Sequence, residues 1–230
     1  KYNISREAQD KFALWSQQKA TAAQKSGRFA EEIVDVVIPQ RKKDPIIFNQ
    51  DEFIRPTTTM EGLSNLRAAF KKDGSVTAGN ASGLNDGAAG LLIASEDAVK
   101  RFQLKPLARI VGASIAGVEP RIMGIGPVFA SRKVLERTGL SLDQMDIIEL
   151  NEAFAAQVLA CTREFGLDDM DQRINPNGGA IALGHPLGCS GAKLSVQLFH
   201  EMRLRNQKYG MVSACVGGGQ GVAGVYELLN

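Results

Sequence analysis

Histidine, cysteine and aromatic residues are all scarce in this sequence, and each scarcity removes a class of function. Two histidines and three cysteines in unrelated settings offer no metal-type spacing, so no metal site is expected. An odd number of thiols also argues against a disulfide scaffold and fits a reducing compartment, expected to be the cytoplasm. Aromatics make up only 6%, too few for a base-stacking surface, and a formal net charge of +2 gives no general attraction to nucleic acid or anionic lipid. No apolar run approaches the roughly 20 residues that cross a bilayer, and the first residues carry no signal-peptide pattern. Neither nucleic acid nor a membrane is therefore expected as a partner. The chain opens on Lys1-Tyr2-Asn3 with no initiator methionine, so it is expected to be a piece of something longer.

What is present is an ordinary globular composition. At 230 residues and 44% hydrophobic content, the chain can bury a core in one or two domains. Ser5 can cap a helix in which Ala8, Phe12 and Trp15 recur at helical spacing, with Gly27 as terminator. Residues 33–38 are β-rich, and the charged turn at 41–45 is a solvated loop or a cation cluster near phosphates. Thr59 can cap a helix running through Leu63, Leu66 and Phe70 to Gly74. Residues 88–94 look like a buried strand and 96–102 like a helix. From Pro106 onward strands and helices alternate: strands at 108–115, 147–150, about 209–216 and 222–228, helices at 131–138, 151–165 and 190–203. The segment 180–183 looks like one more strand, leading into the turn that carries His185.

The polar residues of interest sit at strand ends, where α/β sheets place their sites. Asn151 follows the strand at 147–150, His185 stands between Gly184 and Pro186, and Cys215 runs into Val216-Gly217-Gly218-Gly219-Gln220-Gly221. Each has a plainer reading: helix capping for Asn151, a surface histidine for His185, a packed core thiol for Cys215. Against these, a histidine held in a Gly/Pro turn has the fixed orientation that a base or oxyanion donor requires. A thiol beside glycine N–H groups and near an imidazole can exchange protons around neutral pH. Cys189 reads as a small residue packed in a tight turn, His200 as structural, and Glu152 as an acid near a helix N-terminus. Gly219-Gln220-Gly221-Val222-Ala223-Gly224 matches G-x-G-x-x-G, but only six residues follow it, so the dinucleotide fingerprint is accidental.

Four stretches carry a resemblance. They are Thr77-Ala78-Gly79-Asn80-Ala81-Ser82-Gly83-Leu84-Asn85-Asp86-Gly87, Asn151-Glu152-Ala153-Phe154-Ala155, the run from Asn177 to Pro186, and the run from Cys215 to Gly221. In that order they resemble the thiolase family, over essentially the whole chain. The resemblance implies an α/β fold of layered αβα architecture. Residues 1–84 would be part of a CoA-binding loop domain, 85–105 the end of an N-terminal domain, and 106–230 the C-terminal domain.

It implies acyl transfer between CoA thioesters, with coenzyme A and acetyl-CoA as substrates and no prosthetic group. Cys215 would be the acid/base at the α-carbon of acetyl-CoA, and His185 would activate the nucleophilic thiol and help bind the thioester oxygen. Asn151 would position a water in an oxyanion hole, and the Gly217 N–H would join a second hole. Ala78, Ser82 and Leu84 would line the pantetheine channel, Ala153 and Phe154 would flank the thioester, and Arg55 would lie near the nucleotide. The family also implies a homodimer or homotetramer. Its nucleophilic cysteine belongs to a half not matched by Cys161, Cys189 or Cys215, so this chain alone is expected to form no acyl-enzyme. Val118-Glu119-Pro120-Arg121-Ile122-Met123-Gly124 and Asn175-Pro176-Asn177 look most like thiolases acting on 3-oxoadipyl-CoA. A non-catalytic CoA- or lipid-binding relative is the alternative.

Overall fold

The computed structural model describes residues 1–229. Its first element, α1 (Arg6–Lys25), begins where expected: the Ser5 hydroxyl accepts the Ala8 N–H, and Gly27 at φ +75° ends the run. Phe12, Ser16, Ala20 and Ala23 recur every three or four residues and are buried, so α1 lies inside the molecule along one face. That face is partly polar. Gln9, Asp10, Ser16 and Gln17 are buried with it, and their bonds tie α1 to the segments that carry the site.

A short hairpin follows, β1 (Val36–Ile38) against β2 (Ile46–Phe48), antiparallel and exposed on both faces. Next, α2 (Met60–Ser64) is capped by Thr59 as expected but stops ten residues before Gly74. Arg6 is the reason: its guanidinium donates to the carbonyls of Leu63 and Leu66 at 2.6 and 3.0 Å, taking oxygens that a continuing helix would need. The chain then folds back, with Ala69 N–H on Val76 O. Residues 88–94 are exposed and form no strand, contrary to expectation, with Leu92 83% and Ile93 75% accessible. No strand among the described residues lies beside them, and an extended run without a neighbour makes no ladder. A helix, α3 (Glu96–Phe102), leads to the C-terminal layers.

Those layers are built on a four-stranded sheet. Its strands are β3 (Ala108–Gly117), β4 (Ile147–Leu150), β5 (Tyr209–Val216) and β6 (Gln220–Leu228), in spatial order β3-β6-β5-β4. β4 and β5 are parallel and the other pairs antiparallel. On one face Ile148, Leu150, Met211, Ala223 and Val225 share a core with α1, α4 (Gly126–Thr138) and α5 (Ala155–Phe165). On the other, Ile147 and Val212 pack on Leu194, Leu198 and Met202 of α7 (Ser190–Arg205). Alternate strand residues thus enter opposite cores, which makes the sheet the middle layer of an αβα arrangement. Fully burying one such aliphatic side chain is worth about 2 kcal/mol.

Two local expectations fail near the site. Asn151 does not cap a helix: its N–H continues the β4 ladder onto Ser213 O at 2.9 Å, and α5 begins four residues later. Residues 180–183 are not a strand but a single helical turn, α6 (Ala180–Leu183), closed by Gly184 N–H on Ala180 O. His185 therefore follows a helix rather than a strand. The G-x-G-x-x-G stretch runs through β6 with no helix after it. No helix among the described residues is long and apolar enough to cross a membrane.

Candidate active site

Gly184 makes the turn that presents His185. Its φ of +79° suits glycine, and a Cβ there would stand 2.4 Å from the Asn85 side-chain oxygen. That same oxygen lies 3.3 Å from the His185 N–H, which also reaches Gly83 O at 3.3 Å. The histidine backbone is thus held from the loop spanning 77–87. Its ring is held from two other elements: Nδ1 is 2.6 Å from Ser190 Oγ in the first turn of α7, and Nε2 is 3.3 Å from Asn151 Nδ2 at the end of β4. Burial, and after it the positive charge of Lys193, push the imidazole below its ordinary pKa. At neutral pH the ring is therefore uncharged and able to accept a proton.

Asn151 is 1% exposed, so its side chain is committed to this contact rather than to solvent. Cys215 lies at the same end of the neighbouring parallel strand, two residues beyond Ser213, which pairs with Leu150. Burial raises the half-buried Cys215 thiol above its usual range, so it is protonated at neutral pH and placed to give a proton before taking one. Among the described residues no hydrogen bond joins Cys215 to His185 or Asn151. The turn after it has Gly218 and Gly219 at φ +84° and +95°, and Val118 N–H on Gly219 O fixes it at 2.8 Å. A Cβ at Gly217 would meet nothing within 4 Å, and no described group accepts its N–H. That N–H is free for a ligand oxygen.

The loop 77–87 is strapped to the same place. Asn80, fully buried, accepts Thr77 N–H and donates to Asp10 of α1 at 2.9 Å. Ser82 directs both its N–H and its hydroxyl to Ala153 O, at 3.0 and 3.2 Å. Ala81 bridges to Phe154, and Leu84 bridges to His185 while staying 90% exposed. Phe154 meets Phe70 edge to face at 6.1 Å. Ala78 and Arg55 sit elsewhere, lining a cavity of about 170 Å³ with Phe53, Thr58 and Leu66. The structure thus gathers Asn151, His185, Ser82, Leu84, Ala153 and Phe154, sets Cys215 and Gly217 at the neighbouring strand end, and leaves Ala78 and Arg55 in a cleft beside them.

Sequence reasoning gave no role to Ser190 and read Glu152 as a dipole partner. Glu152 is fully buried and accepts from Ser16, Asn175 and the Ile181 N–H at 2.6, 2.9 and 3.1 Å. Ser190 stands five residues after His185, and a hydroxyl at that spacing in a helix's first turn was the available signal.

Known proteins resemble this chain along nearly its whole length. The family described as "Thiolase, N-terminal domain" matches residues 1–97, and "Thiolase, C-terminal domain" matches residues 104–228. The beta-ketoadipyl-CoA thiolase of Acinetobacter baylyi is 56% identical over 226 residues, 98% of this chain and 56% of the relative. The acetyl-CoA acetyltransferase of Chromobacterium violaceum is 55% identical over 97% of this chain and 56% of its own length. The crystal structure of the Bacillus anthracis acetyl-CoA acetyltransferase superposes with a TM-score of 0.95 at 52% identity, over 99% of this chain and 57% of that one. The chain spans little more than half the length of the curated relatives it matches. Matched along nearly its whole length by the two domain families, the chain belongs to the thiolase family.

Proposed function

We propose that this chain carries the acid/base part of a thiolase site, cleaving 3-oxoacyl-CoA with CoA to acyl-CoA and acetyl-CoA, and running the condensation in reverse. The observation that carries the reading is the uncharged His185 imidazole bracketed by Asn151 and Ser190, beside a protonated Cys215 thiol at the same sheet end. In cleavage, His185 Nε2 takes the proton of the attacking thiol. The thiolate adds to the 3-oxo carbon, and the C2–C3 bond breaks with its electron pair leaving as the acetyl-CoA enolate. Cys215 protonates that carbon; CoA then gives its thiol proton to the Cys215 thiolate and attacks the acyl thioester, and the released nucleophile recovers its proton from Nε2. While it stays on Nε2, that proton and the Gly217 N–H are donors for the oxygens that gain charge. A protonated Nε2 no longer accepts from Asn151, whose amide turns to orient water or substrate oxygen beside them. Ala78, Ser82 and Leu84 line the path of the pantetheine arm, Ala153 and Phe154 flank the thioester, and Arg55 takes the nucleotide end.

The attacking thiol comes from outside these 230 residues. Cys161 is buried, donates to Gly124 O and is pushed up to about 12, and Cys215 is given the acid/base role. Cys189 stands at the cap of α7 with no hydrogen bond to the His185 ring among the described residues. Residues 1–84 serve as part of the CoA-binding loop region, 85–105 end an N-terminal domain, and the unit from 106 onward, whose sheet starts at Ala108, is the C-terminal domain. A 3-oxoadipyl-CoA preference rests on the stretches 118–124 and 175–177 and on the names of relatives such as the Acinetobacter baylyi thiolase. Cytoplasmic homodimers or homotetramers are proposed with it.

The test is thiolysis by a polypeptide of the relatives' full length. Cys215→Ala and His185→Ala should each lower kcat by two to four orders of magnitude, and near wild-type rates in both would refute the roles. Comparing 3-oxoadipyl-CoA with acetoacetyl-CoA decides the substrate. Radioactive acetyl-CoA should leave the 230-residue chain unlabelled.

A further inference from the structure

We propose that Ser190 is a positioning residue that fixes His185 in the tautomer protonated at Nδ1, leaving Nε2 as the basic atom. The proposal rests on the reading of His185 given above and names what sets its proton.

One chain of contacts fixes where each proton sits. Ser190 Oγ lies 3.0 Å from Pro186 O and 2.6 Å from His185 Nδ1. A hydroxyl has a single proton, and in this geometry it is directed to Pro186 O four residues back, an oxygen that also accepts the Cys189 and Ser190 N–H groups at 2.9 Å. The oxygen must then accept from the ring, so Nδ1 carries hydrogen. At the other end, Asn151 presents its Nδ2, which can only donate, to Nε2 at 3.3 Å. Nε2 must then hold a lone pair. Two contacts from different elements, α7 and β4, demand the same tautomer. The opposite one would set Nε2–H against an amide N–H and pull the serine proton away from Pro186 O.

The choice of hydroxyl has a chemical consequence. A carboxylate on Nδ1 would stabilise the imidazolium and raise its pKa. Neutral Ser190, 5% exposed, orients the ring without that charge, and Lys193 is the charged group that bears on it. The base stays uncharged until a thiol proton arrives, and that proton arrives at Nε2.

The experiment is long-range nitrogen–carbon NMR of the ring in the 230-residue chain carrying His200→Gln, which leaves His185 as the only histidine. At pH 8 the spectrum should show Nδ1 protonated and Nε2 bare. Ser190→Ala should give a mixture of tautomers, and Ser190→Thr should restore the single form. An Nε2-protonated ring in the chain with Ser190 intact overturns the proposal, as does an unchanged tautomer in Ser190→Ala. Should Ser190→Ala fail to fold, the spectrum with Ser190 intact decides alone. In the full-length protein Ser190→Ala should lower kcat about tenfold, the worth of one net hydrogen bond, with KM unchanged and Thr rescuing. The tautomer is read without turnover, so loss of the thiolase reading would leave this result standing, and the reverse holds too.

Discussion

The Asn151 amide and the His185 imidazole meet at 3.3 Å although 34 residues separate them in sequence. The contact exists because β4 ends one residue before Asn151 while α6 and Gly184 turn the chain back over that strand end. It makes Asn151 a handle on the ring. Asn151→Ala removes the donor to Nε2, and under the proposed role the full-length protein should lose about 10²–10³ in kcat, the loss that removing one oxyanion-hole donor brings. Asn151→Asp puts a negative charge on Nε2 instead, so the acid limb of the kcat/KM profile should move to higher pH. An Ala variant of native rate would remove Asn151 from the site.

Lys193 should act on the same limb with the opposite sign. The lysine donates to Gly184 O at 3.3 Å, and its charge, second to burial, lowers the His185 pKa. In the proposed role the base works unprotonated, so activity should fall as pH drops through that lowered value, below 6.5. In Lys193→Gln the amide can keep the bond to Gly184 while the charge is gone. The His185 pKa should rise toward its ordinary value and carry the acid limb upward with it. A limb that stays in place or moves down would show that Lys193 does not reach the ring. The same shift bears on folding: the native state binds fewer protons than the unfolded one, so stability declines as pH falls through 6.5.

Glu149 is the costly residue of the sheet. It is fully buried on β4, on the face toward α7, and neither carboxylate oxygen has a partner among the described residues. Burial first, and Glu32 after it, raise its pKa to about 8, while Lys19 and Lys193 pull the other way. The folded value exceeds the unfolded value of 4.5, so the native state binds the extra proton between them. Stability contributed by the neutral acid is complete below 4.5 and is lost as pH rises through about 8. Glu149→Gln removes the dependence. The variant should match the native chain near pH 4.5 and exceed it by about 1–3 kcal/mol at pH 8 to 9 in urea unfolding. Equal stability across that range would mean that the carboxylate is satisfied by water.

Much of this was open to a reader of the sequence, because the relevant forces are local. Ser5, Phe12 and Gly27 announce α1 by cap, stripe and terminator, and the apolar runs at 147–150 and 209–216 announce β4 and β5. Asn151, His185 and Cys215 stood out for the turns that hold them. What failed depended on distant partners. The helix after Thr59 looked long until Arg6 took its carbonyls, and residues 88–94 looked like a strand because composition cannot show whether a neighbour exists. Residues 180–183 are apolar at a length where strand and helix patterns coincide, and the backbone turn is settled by Glu152 from below. Ser190 carried only its spacing from His185 as a signal, with no charge or rarity to mark it. Its meaning appears only when the ring lies 2.6 Å away.

Glu152 gives the last test, of how the site is held rather than of what it does. Its carboxylate accepts from Ser16 of α1, from Asn175 and from the first turn of α6, and a Cβ at Gly179 would stand 2.2 Å from its carboxyl carbon. Three donors in the core therefore depend on one acceptor. Glu152→Ala strands all three and should cost about 3 kcal/mol or more in urea unfolding, each unpartnered buried group adding to the loss. Glu152→Gln keeps one acceptor oxygen, for Asn175, and replaces the other with an amide that donates to Ser16 Oγ, so the Ile181 N–H and the Ser16 hydroxyl proton lose their acceptor. It should cost about 1–2 kcal/mol. Because α6 directly precedes Gly184, both variants should also loosen His185, seen as faster hydrogen exchange at the His185 N–H. If Glu152→Ala unfolds within 1 kcal/mol of the native chain and leaves that exchange rate alone, the carboxylate is not what binds α1 to the histidine turn.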